Sequence, residues 1–296
     1  MSDQEPGLVA RVKGRLPQPD VWLARLERAR RSIPLLDTAV ETVERDAEIG
    51  GGILAGALAY RLFLFFLPFA FLLVSVLGLV SQTTGATPRE ISRDVGLVAL
   101  VTNEVAATAD GHYSVWVFVV SLVVLAYATR VLFRSVLIVH ALAWERSAAA
   151  AKTRWRPFRL FGLALMVELA LAILLGAVRG HSFVDDVLAL AGFVVLSAAN
   201  WLCISLLLPH ASATWTDLIP GAVFFGVGLL IVNTFNLYIL GRLQEQRTST
   251  YGTLGAAAAV LLSLLLIGRL IVGSAVVNAT LFDRRARADA AEEAIG

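Results

Sequence analysis

The sequence predicts an all-α, polytopic membrane protein with six transmembrane helices, an N-terminal amphipathic interfacial helix and a short helix on the outer face. Of the 296 residues, 57% are hydrophobic, and the mean hydropathy is +0.74. Only 16% are charged, against about 25% in soluble domains. The apolar residues also fall into long runs of bilayer-spanning length rather than into short periodic segments.

Residues 1–50 are predicted to form a cytoplasmic tail and an amphipathic helix. From Trp22 to Ala47, apolar side chains recur at alternating spacings of four and three residues, which is typical of one helical stripe. Pro34 should kink or split this helix. Two placements remain open: the helix lies on the cytoplasmic membrane surface, or it packs on the spanning bundle or a second subunit. No cleavable signal peptide is predicted, because these residues lack an apolar core.

Residues 51–283 are predicted to form a six-helix transmembrane domain, followed by a cytoplasmic C-terminal tail at 284–296. The six spans are placed at about 52–80, 114–144, 158–178, 184–208, 215–240 and 251–282. Between the first two spans, Thr87, Pro88 and Glu90 form a capping box with proline at the first helical position. This motif predicts the short outer helix, either as a packing element or as a lid.

The distribution of lysine and arginine predicts the orientation. With a cytoplasmic N-terminus, the inner segments carry 15 of these residues, and the outer segments at 81–113, 180–183 and 241–250 carry four. Positive residues are retained on the cytoplasmic side of bacterial membranes. We therefore expect both termini to be cytoplasmic.

Beyond the first three residues of each predicted span, five charged side chains lie in the body of the spans: Arg61, Arg130, Arg134, Glu168 and Arg269. An ionised side chain at the centre of a span costs roughly 2.5–3.5 kcal/mol even at the low end of the estimates. The predicted orientation places all five at the midplane or in the cytoplasmic half. Four arginines against one glutamate leave a surplus of positive charge there.

Three interpretations of these five residues are open. Arg61 and Arg134 can extend to the cytoplasmic headgroups. Alternatively, Arg130 or Arg269 pairs with Glu168 and fixes the helix register. In the third, all five line a basic, cytoplasm-facing cavity that binds a phosphate or carboxylate group of a substrate.

Conventional catalytic chemistry finds little support in the sequence. Cys203 is the only cysteine, so neither an internal disulfide nor a thiolate metal site is expected. The four histidines show no metal-binding spacing, and no Walker loop or GxSxG elbow occurs. We therefore predict a non-enzyme with no cofactor, no metal and no catalytic residue.

Short motifs follow one another in a definite order along the spans. They are Ala-Leu-Ala-Tyr (57–60) with Leu67-Pro68, Ile-Pro-Gly-Ala (219–222), Tyr-Gly-Thr-Leu-Gly (251–255) and Ser-Ala-Val-Val-Asn-Ala (274–279). This ordered set, spread over residues 52–282, resembles the YihY/BrkB family of bacterial inner-membrane proteins, once labelled ribonuclease BN. The resemblance implies a six-helix protein of the bacterial inner (plasma) membrane whose molecular activity is poorly defined.

The chain departs from the family pattern at three positions. Phe65 stands where serine is usual, and Arg61 stands where an aromatic or small residue is usual. Val276 replaces the family's glutamate, so no role of that carboxylate carries over to this chain. Ribonuclease activity is not expected, because neither a metal cluster nor an extended basic, aromatic-lined surface is visible.

The sequence favours a transporter or flippase-like protein that moves an anionic amphiphile or lipid through a cytoplasm-facing basic cavity. The alternative is a non-transporting scaffold for envelope integrity, in which the N-terminal or outer helix docks a partner. A membrane-embedded hydrolase is a third, disfavoured hypothesis. Membrane lipids, with anionic lipids among the candidates, are the predicted partners, a homo-oligomer is left open, and no nucleic-acid partner is predicted.

Overall fold

The computed structural model describes residues 33–84, 115–147, 154–178, 183–245 and 252–294. These ranges contain seven α-helices and a short 3₁₀ turn at Trp215–Leu218, and no strand. The helices are α1 (Pro34–Glu48), α2 (Gly51–Thr84), α3 (Val115–Ala143), α4 (Trp155–Val178), α5 (Phe183–Leu207), α6 (Ile219–Glu245) and α7 (Gly252–Glu293). The all-α prediction is confirmed for these ranges.

Within the described ranges, five segments are long and apolar enough to cross a membrane. They are Gly51–Leu72, Phe118–Ala143, Phe183–Leu207, Trp215–Asn236 and Val260–Glu293. The helix α4, expected as the third span, is not among the five, and it carries Arg156, Arg159 and Glu168. A sixth crossing therefore stays a prediction.

The chain divides into two compact units, residues 1–44 and 45–296. In the first unit, the described residues form most of α1, which begins at Pro34 after a non-helical Ile33. Proline fits the first turn of a helix but not its interior, which accounts for the start of α1 at Pro34; a break in a longer helix stays a prediction. The predicted helical stripe before residue 33 and the predicted outer helix near residues 87–105 lie outside the described residues.

The core of the second unit is built around α7, which packs against α2, α3 and α6. Leu58 of α2, Phe133 and Val136 of α3, and Val272 and Val276 of α7 are fully buried. The helix α4 packs mainly on α5. Its contact with α3 includes Phe161, whose ring centroid lies 5.0 Å from that of Phe133.

Two glycines allow the backbones of α7 and its neighbours to approach closely. A Cβ atom on Gly221 of α6 would lie 2.3 Å from the Ser274 carbonyl oxygen. A Cβ atom on Gly268 of α7 would lie 2.5 Å from the Ala55 carbonyl oxygen. Both helix pairs therefore depend on a missing side chain, as is common between membrane helices.

The helix α7 is longer than the predicted sixth span. That prediction ended near residue 282, whereas α7 continues to Glu293 and includes most of the segment predicted as a C-terminal tail. Residues 283–293 are rich in alanine, arginine and glutamate and contain no glycine or proline. These residue types favour a helix in water, where hydropathy gives no signal.

Candidate functional site

One exposed stripe of α3 changes from apolar to basic along its length. Val120, Val123, Tyr127, Arg130 and Arg134 follow at spacings of three and four residues, and all five side chains are exposed. This spacing places them on one helical face. Phe133, between the two arginines in sequence, points into the core and is fully buried. The arginines thus project from the outer surface of α3.

Neither Arg130 nor Arg134 forms an ion pair with any residue in the described ranges. The hypothesis that Arg130 pairs with Glu168 therefore does not match the structure. The two guanidinium groups, four residues apart, form a small basic patch at the end of the apolar stripe.

Glu168 has neutral hydrogen-bond partners instead of an arginine. Ser197 Oγ donates to Glu168 Oε1 at 2.6 Å, and Asn200 Nδ2 donates to Glu168 Oε2 at 2.7 Å. Asn200 Nδ2 also donates to the Ala164 carbonyl at 3.0 Å. Glu168 is half-buried and joins α4 to α5, so its contacts fix the packing of two helices rather than neutralise an arginine.

Arg269 pairs with Asp46, not with Glu168. Its Nη1 lies 3.1 Å from Oδ1 and 3.0 Å from Oδ2 of Asp46, near the end of α1. Arg61 has an aromatic neighbour, because its guanidinium carbon lies 5.8 Å from the ring centroid of Tyr60. Three of the five predicted site residues thus contact other side chains: Glu168, Arg269 and Arg61. Arg130 and Arg134 instead share the exposed face of α3.

Arg45 makes a cluster of contacts that the sequence did not reveal. Its Nε donates to the Ala143 carbonyl at 3.1 Å, Nη2 lies 3.2 Å from Glu145, and Nη1 contacts Asp283. The side chain is only 13% exposed and connects α1, the end of α3 and α7. The adjacent charges of Arg45 and Asp46, just before Gly50 and the first span, are the available signal in the sequence.

A polar seam connects α5, α6 and α7 within the core. The Gly221 backbone N–H donates to Asn278 Oδ1 at 2.6 Å, and Trp201 Nε1 donates to Ser274 Oγ at 2.9 Å. The Trp201 ring stacks on Phe225 with a centroid separation of 4.0 Å. The motifs at 219–222 and 274–279, which are far apart in the sequence, therefore meet in one contact.

An open cleft of about 530 Å³ lies between the start of α4 and the end of α5. Its lining consists of Arg154, Trp155, Arg156, Pro157, Leu160 and Leu207. Elsewhere in the described ranges, no group of three or more histidine, cysteine, aspartate or glutamate residues is placed to hold a metal ion.

A protein-family model described as "Virulence factor BrkB" matches residues 47–295. This chain belongs to the BrkB family. The resemblance drawn from the ordered motifs is thus confirmed. A search of curated proteins and a search of solved structures each gave no match.

The BrkB family match and the five apolar helices identify an integral, multi-pass bacterial membrane protein. The match assigns no role to any of the five charged residues within the predicted spans. Val276, which stands where the family resemblance leads us to expect glutamate, is fully buried in the core. In this member of the BrkB family, the position contributes packing rather than a charge.

Proposed function

We propose that this BrkB-family protein is an inner-membrane transporter of the flippase type that moves an anionic amphiphile. The proposal rests on one observation: Arg130 and Arg134 are exposed and unpaired among the described residues, at the end of an apolar stripe on α3. The stripe offers hydrocarbon contact along one half and two guanidinium groups at the other. An amphiphile with a phosphate or carboxylate headgroup matches this arrangement, because its tail is apolar and its headgroup is negatively charged.

The cost of burying charge supports a ligand for these two arginines. Each arginine within a span costs roughly 2.5–3.5 kcal/mol unless it is hydrated or paired. Asp46 provides a counter-charge for Arg269, whereas no carboxylate in the described ranges does so for Arg130 or Arg134. A phosphate group would accept charge-assisted hydrogen bonds from both guanidinium groups.

In the predicted orientation, this basic patch would lie on the cytoplasmic side of the membrane. The excess of lysine and arginine in the expected inner segments favours cytoplasmic termini, with α3 running inward. Arg130 and Arg134 then face the cytoplasmic half of the bilayer. The protein would act without catalytic residues or a cofactor, and its transport would be driven by a gradient or by the amphiphile itself.

Lipid translocation in vesicles tests the proposal. Purified protein is reconstituted into phosphatidylcholine vesicles with a trace of acyl-labelled fluorescent phosphatidylglycerol, and dithionite quenching reports label that reaches the outer leaflet. The wild type should accelerate this exchange. The double variant Arg130→Gln/Arg134→Gln should lose at least about tenfold in rate, because two charge-assisted phosphate contacts are removed.

Arg159→Gln is the matched control, because Arg159 is an exposed arginine on α4 outside the α3 stripe. This variant should exchange lipid at the wild-type rate. Absence of exchange by the wild type, or an unchanged rate in the double variant, would refute the proposal.

The close packing around α7 favours a second candidate function, a non-transporting envelope scaffold. Val272, Ala275, Val276 and Ala279 of α7 are all fully buried, as expected for a solid bundle. Crosslinking in intact membranes would then recover a partner in a manner that depends on residues 20–48. If deleting that segment leaves every crosslinked product in place, the scaffold function is excluded.

A further inference from the structure

The cleft between α4 and α5 combines two cationic groups with an apolar floor. Arg154 and Arg156 flank the start of α4, and Leu160 and Leu207 form the apolar floor. Neither arginine forms an ion pair with a residue in the described part of the chain. The volume of about 530 Å³ is adequate for a headgroup and the first part of an acyl chain.

The electrostatics of α4 make this cleft more favourable for an anion. The N-terminus of a helix carries a partial positive charge, so acidic side chains are favoured there and cations are not. The first turn of α4 contains no acidic residue, although Arg154 and Arg156 lie at this end. By contrast, α5 begins with Asp185 and Asp186 in its first turn. An anion bound in the cleft would provide the missing negative charge.

Aromatic contacts fix one wall of the cleft to the core. The Trp155 ring lies 5.5 Å from Phe158, and Phe158 lies 6.3 Å from Phe133, which is fully buried in α3. Trp155 itself is 65% exposed, as is typical of tryptophan at the membrane–water interface. These contacts therefore anchor Trp155, on one wall of the cleft, to the buried core of α3.

We propose that this cleft binds the phosphate headgroup of an anionic phospholipid from the adjacent leaflet. Arg154 and Arg156 hold the phosphate, Trp155 lies at headgroup level, and an acyl chain lies along Leu160 and Leu207. The proposal deepens the proposed function, on which it rests for the class of amphiphile, by giving that amphiphile a docking site. Charge complementarity and the apolar floor together favour a lipid over a soluble anion.

Equilibrium binding of phosphatidylglycerol to the purified full-length protein in neutral detergent micelles tests this site. The wild type should bind phosphatidylglycerol more tightly than phosphatidylcholine. Arg154→Gln/Arg156→Gln should weaken phosphatidylglycerol binding by about 30-fold, because the variant removes the contributions of two interfacial arginines to the binding free energy. Arg154→Lys/Arg156→Lys should restore most of the affinity, because it keeps both charges.

Arg159→Gln is again the matched control, since Arg159 lies on the same helix but does not line the cleft. It should change the affinity by less than about twofold. Equal weakening by Arg159→Gln would mean that general surface charge attracts the lipid, and the site would be refuted. Competition by glycerol 3-phosphate as effective as that by phosphatidylglycerol would refute the lipid as ligand.

The binding assay tests the cleft, and the translocation assay tests the transporter, so either proposal can be refuted without the other. Loss of binding in Arg154→Gln/Arg156→Gln without any wild-type translocation would support the cleft and refute the transporter. Wild-type translocation with unchanged binding in that variant would support the transporter and refute the cleft.

Discussion

Two sets of arginines in this protein have different surroundings. Arg45, Arg269 and Arg285 each contact a carboxylate, whereas Arg130 and Arg134 contact none among the described residues. The carboxylates that serve the first set lie near the ends of the apolar segments: Asp46 precedes Gly51–Leu72, Asp217 is the third residue of Trp215–Asn236, and Asp283 begins the charged end of α7. Ion pairs thus form where a carboxylate need not enter hydrocarbon. The arginines in the body of α3 lack such neighbours and remain available to a ligand.

The largest loss of stability is expected for Arg45→Met. Methionine fills the aliphatic volume but leaves the Ala143 carbonyl and Asp283 without their donor. Because Arg45 is only 13% exposed, the free energy of unfolding should fall by about 2–3 kcal/mol. The apparent melting temperature in detergent measures this change. Arg134→Met is the control, and an equal fall in both variants would remove the contrast between the two sets.

Gly221→Ala should destabilise the polar seam that connects α5, α6 and α7. The new Cβ atom would lie 2.3 Å from the Ser274 carbonyl oxygen, so α6 and α7 must separate at a cost of about 1–3 kcal/mol. The same melting assay reports the loss. Gly192→Ala in α5 is the matched control, because no atom lies within 4 Å of its added Cβ. A similar melting temperature for the two variants would contradict the close approach of α6 and α7.

Arg269→Gln should have a small effect that depends on salt. The Arg269 side chain is 43% exposed, so its pair with Asp46 is worth only about 0.2–1 kcal/mol. A double-mutant cycle with Asp46→Asn at low and high salt measures the coupling between the two charges. A coupling that does not change with salt would show that the pair is shielded from solvent.

The smallest effect on stability is expected for Arg130→Gln/Arg134→Gln. In detergent both exposed side chains are hydrated, and neither has an ion-pair partner in the described ranges, so the melting temperature should change by less than the equivalent of about 0.5 kcal/mol. A fall as large as that of Arg45→Met would give these arginines a structural role.

Most helices could be predicted from the sequence, because long apolar runs and Pro34 mark their positions directly. The end of α7 could not, since residues 283–293 form a helix through propensity rather than hydropathy. The partner of Arg269 could not be predicted from the charged residues within the spans either. Its partner, Asp46, lies 223 positions away and outside every predicted span.

The candidate site was only partly predictable. The four-residue spacing of Arg130 and Arg134 places them on one face of a helix, but their exposure depends on which helices cover α3. One of the three interpretations pairs Glu168 with an arginine, whereas Ser197 and Asn200 of α5 donate hydrogen bonds to it. Such neutral donors are indistinguishable in sequence from ordinary packing residues.

Cysteine accessibility at position 130 is the most direct test of a cytoplasm-facing basic site. Cys203 is the only native cysteine, so a Cys203→Ser background isolates the label. In Arg130→Cys, a membrane-impermeant maleimide should react in inverted vesicles but not in intact cells. Val123→Cys, on the apolar part of the same stripe, should remain unlabelled from both sides. Labelling of Arg130→Cys only from outside, or from neither side, would contradict the account.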